Sequence, residues 1–209
     1  MSHRHPLFAR FYARTSLLME SGVGAHRRTL LEGLSGRVIE IGAGNGLNFP
    51  HYPQTVTEVI AVEPEPHLRT IAETYAERTT VPINIVNGLA DRLPAEDASC
   101  DAAIASLVLC TVPDQDAALA EIRRVLKPGG QLRFFEHVQA ATAGRHRIQK
   151  ALDATVWPVF GGGCHCSRDT RSAIERAGFC LDRIDQLTSA DTKLPFPAAP
   201  QILGTATRP

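Results

Sequence analysis

The run Val38-Ile39-Glu40-Ile41-Gly42-Ala43-Gly44-Asn45-Gly46 leaves this chain few folds to choose from. A short apolar stretch that opens into glycines at alternate positions is a buried strand feeding a tight turn, where the backbone must pass close to a ligand. Backbone N–H groups presented there suit a nucleotide-like molecule with an anionic group. The spacing is G-x-G-x-G, and Leu47 stands where the G-x-G-x-x-G loop of a dinucleotide site needs its third small residue. That disfavours NAD.

Downstream the pattern repeats strand and helix. Arg37 to Ile41, Glu58 to Val62, Val81 to Val86, Asp101 to Leu109 and Leu132 to Phe135 read as strands. Pro50 and Pro53 follow the glycines so closely that the helix expected there is cut to about a turn or restarts near Pro50. Helices are expected from Pro66 to about Thr79, from Pro113-Asp114 to the Lys127-Pro128-Gly129-Gly130 stop, from Arg145 to Val156 with Trp157-Pro158 ending it, and from Asp169 to Ala177. Two last strands, Cys180 to Leu187 and Gln201 to Thr207, flank a proline-rich connector.

Ahead of the glycines, Leu7, Phe8, Phe11, Tyr12, Leu17 and Leu18 mark a helix from Pro6 to Met19 that Gly22 and Gly24 end, with a second short helix from His26 to Leu34. These helices cover the sheet, or the first acts as a lid whose Tyr12 closes over the ligand. Alternation of this kind gives a parallel sheet clad with helices on both faces, with ligands at the carboxyl ends of the strands. The stretches Gly42 to Gly46, Glu63-Pro64, Leu89-Ala90, Ser106 to Cys110 and His137 all fall there.

The 209 residues fit one domain, 1–209, with an amino-terminal helical lid at 1–35 and a substrate-side insertion at 139–168. Lys+Arg and Asp+Glu are both 22, so no basic field draws nucleic acid and none is expected as a partner. No stretch approaches the about 20 apolar residues of a membrane span, and a cytoplasmic location is expected. Five cysteines, an odd number in a chain of this length, read as reduced thiols. The sequence carries no sign of oligomeric state.

The glycine run, Glu63 and Val125-Leu126-Lys127-Pro128-Gly129-Gly130 together resemble the class I S-adenosylmethionine-dependent methyltransferases over nearly the whole chain. The resemblance implies an α/β, Rossmann-like three-layer sandwich whose mostly parallel seven-stranded sheet ends in an antiparallel strand inserted between the fifth and sixth. It also implies S-adenosylmethionine as cofactor, held by Tyr12, Glu40, Gly42, Ala43, Gly44, Asn45, Gly46, Asn48, Glu63, Pro64, Leu89, Ala90, Ser106 and Leu107. A narrower similarity rests on Asn48-Phe49 with Tyr52-Pro53, on Leu107-Val108-Leu109-Cys110, on Phe135-Glu136-His137-Val138, and on Gly163-Cys164 with Arg168. It is to the methyltransferase-like family that includes alkyl thiol S-methyltransferases, whose hydrophobic amino-terminal anchor is not expected in this chain.

Methyl transfer is an in-line displacement at an activated carbon, so alignment and exclusion of water dominate and no metal is demanded. A thiol acceptor needs its thiolate, and His137 at a strand end is placed to be its base, a substrate contact, or a residue that only orders the loop. Cys110, Trp157, Cys164, His165 and Arg168 are the expected substrate-binding residues, with Arg168 anchoring a loop or pairing at a helix start. Cys164-His165-Cys166 is tighter than a C-x-x-C half-site and no second Cys/His pair follows, so no metal is expected. The expected activity is methylation of a small, partly apolar nucleophile, a thiol first. Its rivals are O-, N- or C-methylation of a phenol, quinone or lipid head group, and a non-catalytic cofactor-binding protein.

Overall fold

The computed structural model describes residues 6–209, with the side chains from residue 9 onward, so the expectations for the side chains of Leu7 and Phe8 lie outside what is described. Seven strands make one sheet: β1 (Gly36–Ile41), β2 (Val56–Val62), β3 (Ile83–Val86), β4 (Cys100–Ser106), β5 (Leu126–His137), β6 (Cys180–Leu187) and β7 (Gln201–Thr207). Their order is β3-β2-β1-β4-β5-β7-β6. β1 to β5 run parallel, and β7 lies antiparallel between β5 and β6. The expected sheet is thus present, including its inserted last strand. The order reverses between β1 and β4, where an open sheet of this kind has its ligand crevice.

Alternate residues of the strands supply two cores. Ile39, Ile41, Val62, Ala103 and Phe134 pack under α3 (Gln115–Val125) and α6 (Thr170–Arg176). Val38, Val59, Ala61, Ile104 and Phe135 face α1 (Pro6–Leu31) and α2 (Pro66–Ala76) on the other side. Both faces are therefore covered, as a parallel sheet requires. Among the described residues no helix is long and apolar enough to cross a membrane.

Several local expectations need correction. Gly22 and Gly24 do not end a helix, because α1 continues through them to Leu31. The absent side chain at Gly22 serves packing: a methyl there would run into the carbonyl oxygen of Thr192 in α7 (Ser189–Thr192). The apolar positions Phe11, Leu17 and Leu18 of α1 are exposed, and its buried face is Ala9, Ser16, Val23, Arg27, Leu30 and Leu31. Trp157-Pro158 does not close the preceding helix. α4 (Ala143–Asp153) stops earlier, and Trp157 and Pro158 begin the short α5 (Trp157–Phe160), where a proline in the first turn costs no hydrogen bond.

Lys127-Pro128-Gly129-Gly130 belongs to β5, since Gly129 donates to the Arg208 carbonyl at 2.8 Å and Arg208 donates back to Gly130 at 2.9 Å. β4 stops at Ser106 rather than Leu109, because Leu107 enters the left-handed region at φ 58°. Elsewhere a single 3-10 turn, Phe49–His51, follows the glycines, as the early prolines require.

Candidate active site

Three buried acids, each at or near the end of a strand, shape the crevice at the β1–β4 reversal. Glu40 in β1 accepts from Asn48 Nδ2 at 2.7 Å and from the Tyr52 hydroxyl at 2.8 Å. Its carboxylate thus supports the glycine turn from beneath. Burial pushes its pKa up to about 7 despite those two hydrogen bonds. Glu63, just past β2, accepts from Gly44 N at 2.8 Å and from Glu65 N at 2.9 Å, and burial raises its pKa too.

Glu136 in β5 accepts from the backbone N–H groups of Val108 and Leu109 at 2.9 and 2.8 Å on one oxygen and of Cys110 at 3.1 Å on the other. Burial raises this carboxyl as well, against the lowering effect of the three donors. The fixed turn keeps Leu107 at its strained φ, helped by Leu107 N donating to Phe135 O at 2.7 Å.

Around the glycine loop, Gly42 and Gly46 have φ of 64° and 82°, a region other residues rarely enter. A Cβ on Gly42 would meet Val108, and one on Gly46 would meet Phe49. α1 lies across this loop. The Tyr12 ring comes within 3.5 Å of where a Gly44 Cβ would stand, and Asn45 Nδ2 donates to Ser16 Oγ at 3.1 Å. Tyr12 is half-buried, and burial raises its hydroxyl pKa while the charge of Arg27 draws it back.

Arg27 fastens the helix to the crevice through Asn48 Oδ1 at 3.0 Å, Ser106 Oγ at 3.3 Å and Glu20 at 3.2 Å. Ala43 is buried and Pro64 half-buried beside Glu63, while Leu89 is exposed and Ala90 packs on the first core.

A second group of expected residues meets at the ends of β4 and β5. Cys110, Cys164, Cys166 and Ala198 form a small apolar cluster with Trp157 packed on it. His137 Nδ1 lies 3.5 Å from Cys110 Sγ and 3.4 Å from Cys164 Sγ, and its Nε2 is buried with no partner. Burial pulls the His137 pKa down, but Cys110 and the charge of Glu136 leave it above the ordinary value. The Cys164 hydrogen bond and then burial push the Cys110 thiol well up. Cys164 is raised too: its contact with Cys110 acts the other way, but Cys166 and burial outweigh it.

His165 turns its ring to Gly163 O at 2.7 Å and donates its backbone N–H to Cys110 O at 2.8 Å, tying the loop to the β4 turn. Arg168 anchors the same turn, with Nη1 donating to Leu109 O at 2.6 Å. Asp153, at the end of α4, holds the loop from the other side by accepting from Cys166 N at 3.0 Å and Ser167 N at 2.8 Å. All five cysteines are free.

Glu136, Arg27, Ser16 and Asp153 were not among the expected site residues. Glu136 had a signal, since it ends an apolar strand as Glu63 does. The other three have none in the linear sequence, because their partners lie across the fold.

The fold and the loop at its switch point are those of an S-adenosylmethionine-dependent methyltransferase, and a methyltransferase domain model matches residues 39–134. Mouse thiol S-methyltransferase TMT1B is 35% identical over 183 residues, 85% of this chain and 74% of the mouse protein. Human thiol S-methyltransferase TMT1A is 30% identical, over 82% of this chain and 75% of the human one. A crystal structure of a methyltransferase from Thermotoga maritima has a TM-score of 0.71 at 22% identity, over 97% of this chain and 98% of that one, which shows the shared fold. The chain belongs to the methyltransferase family of TMT1A and TMT1B, and S-adenosylmethionine is its cofactor.

The residues present fit that cofactor. Gly44 leaves open the space a side chain would fill in front of Tyr12, and each Glu63 oxygen, engaged by one backbone donor, keeps a second acceptor position.

Proposed function

We propose that the enzyme methylates the sulfur of a small, partly apolar thiol. The observation that carries this reading is the chemistry at the ends of β4 and β5. Cysteine side chains and Trp157 make an apolar cluster there, with the His137 imidazole against two of its thiols. Such a surface suits the apolar body of an alkyl thiol better than a sugar or a phosphorylated acceptor. The names of the two relatives support the same acceptor class.

The bound cofactor supplies a methyl group on a sulfonium, already activated for displacement. The protein's residues align and enclose it. The turn from Gly42 to Gly46 faces the carboxylate end with the N–H groups that its bonds to Val62 O, Glu63 and Ala43 O leave over, Glu63 accepts the ribose hydroxyls, and Leu89 and Ala90 meet the adenine with Pro64 beside them. Tyr12, with Asn45 and Ser16 fixing α1 on the loop, keeps water from the reacting end. Ser106 and Leu107 complete the wall on the β4 side. His137 is the polar contact for the acceptor, and the loop bearing Cys164, His165 and Arg168 closes the acceptor's end.

The test is incubation of purified enzyme with methyl-labelled cofactor and a panel of alkyl thiols, phenols, amines and quinones. Label recovered as a thioether is the expected result. Label carried only by an oxygen, nitrogen or carbon acceptor overturns the thiol reading.

A further inference from the structure

Three side chains from separate segments converge on one point beside the cofactor loop. Cys110 follows β4, His137 ends β5 and Cys164 closes the glycine turn after α5, and their ligating atoms all lie within 4.8 Å of one another. An imidazole nitrogen carries in the ring plane either one hydrogen or one lone pair, so it makes one good hydrogen bond. Yet Nδ1 of His137 has two sulfurs at nearly equal range, 3.5 and 3.4 Å. A cation between all three satisfies them together. A tetrahedral zinc ion, with bonds of about 2.3 Å to sulfur and about 2.0–2.1 Å to nitrogen, sets its sulfur and nitrogen ligands about 3.5 Å apart. Both observed edges have that length.

We propose that Cys110, His137 and Cys164 bind zinc, leaving a fourth position that takes the sulfur of the acceptor thiol. Two thiolates and an imidazole select zinc over magnesium, calcium or manganese, which favour oxygen. Three protein ligands with one open position are the catalytic form of such a site, whereas a structural zinc is closed by four. His165 is turned away to Gly163 O. Cys166 Sγ, 3.8 Å from Cys164 Sγ, stands outside the mutual group of three and backs the site.

Both cysteine-bearing turns are held independently of an ion: Glu136 and His165 fix the backbone at Cys110, and Asp153 fixes that at Cys166. Preset ligands of this kind are what a catalytic metal site needs.

The acceptor half of the proposal rests on the thiol reading. There the acceptor's S–H proton passes to water as its sulfur binds the ion. The sulfur's electron pair then forms the new bond to the methyl carbon, and the old S–C pair stays on the cofactor's sulfur. The thioether product, neutral and a weak ligand, leaves. The ion thus activates the thiol, and His137 meets the acceptor's sulfur through the ion that it holds at Nδ1.

The test begins with zinc and free-thiol content in protein purified without a metal-binding tag. The expected content is about one zinc per chain, falling to about a tenth or less in Cys110→Ala, His137→Ala and Cys164→Ala. Cys100→Ala and Cys180→Ala keep it, and circular dichroism and melting confirm that each variant folds. In cobalt-substituted enzyme, adding a small alkyl thiol shifts the sulfur-to-cobalt charge-transfer band. Absence of stoichiometric zinc, zinc retained by all three variants, or a Cys110–Cys164 disulfide in the fresh protein overturns the site. A cobalt spectrum unmoved by thiols overturns the acceptor half.

The two readings fail separately. A zinc-free chain that still methylates thiols sinks the metal site alone. A zinc-bound chain that labels only phenols or amines sinks the thiol reading.

Discussion

Both oxygens of Glu63 already accept backbone N–H groups, from Gly44 within the loop and from Glu65 before α2, so one carboxylate shapes the turn and faces its ligand. A charged hydrogen bond contributes about 1.5–3 kcal/mol, so Glu63→Ala is expected to weaken S-adenosylhomocysteine binding at least about tenfold by calorimetry. Unchanged affinity would remove Glu63 from the site. This residue was legible because an acid directly after an apolar strand, following a glycine loop, has a local signature. Glu136 has the same signature, but its three partners lie far back in the sequence and only the fold joins them to it. Arg27 is a charge on a helix until that helix is laid across Asn48 and Ser106. The cysteines show the same limit: local spacing sets Cys164-His165-Cys166 aside as a metal site, while the structure groups Cys164 with Cys110 and His137.

At the scale of elements, the strands could be located from apolar runs because a buried parallel strand is apolar on both faces. Glycine misled at both ends of its range of uses. Gly22 and Gly24 looked like terminators of α1, yet a helix tolerates glycine at a cost of about 1 kcal/mol when something needs the room. At Gly22 the neighbour is backbone, the Thr192 carbonyl, which cannot swing aside; at Gly24 it is the far end of the Glu20 side chain, 2.7 Å from a notional Cβ. The two sites should therefore answer oppositely. Gly22→Ala is expected to lower the free energy of urea unfolding by about 1–3 kcal/mol through overpacking, despite alanine's better helix propensity. Gly24→Ala is expected to be neutral or to stabilise by up to about 1 kcal/mol. Equal effects at the two positions would mean that α1 does not press on α7. The early stop of β4 at Leu107 was hidden for a related reason, since a leucine in the left-handed region carries no local mark.

In the whole molecule, the crevice at the sheet's reversal is built on three carboxyls taken out of water. Burial raises Glu40, Glu63 and Glu136, Glu40 from 4.5 to about 7. The folded chain therefore holds these protons more tightly than the unfolded one. Their contribution to stability is fully present below the ordinary carboxyl range and is lost as pH rises through the folded values. Asp101, beside Lys127, and Glu121, beside Arg124, are held below their ordinary values and act the other way, losing their contribution only as pH falls below the usual carboxylate range. The summed contribution of these carboxyls should accordingly be largest in mild acid and decline toward neutrality. At about 1.4 kcal/mol per pKa unit, the Glu40 share of the fall between about pH 5 and pH 8 is about 2–3 kcal/mol. Glu40→Gln keeps the shape of the protonated acid and cannot ionise. Its unfolding free energy, measured by urea denaturation across that range, should decline by about 2–3 kcal/mol less than that of the native chain. Parallel profiles for the two proteins would mean that Glu40 is ionised throughout, with Asn48, Tyr52 and the charge of Arg27 outweighing its burial.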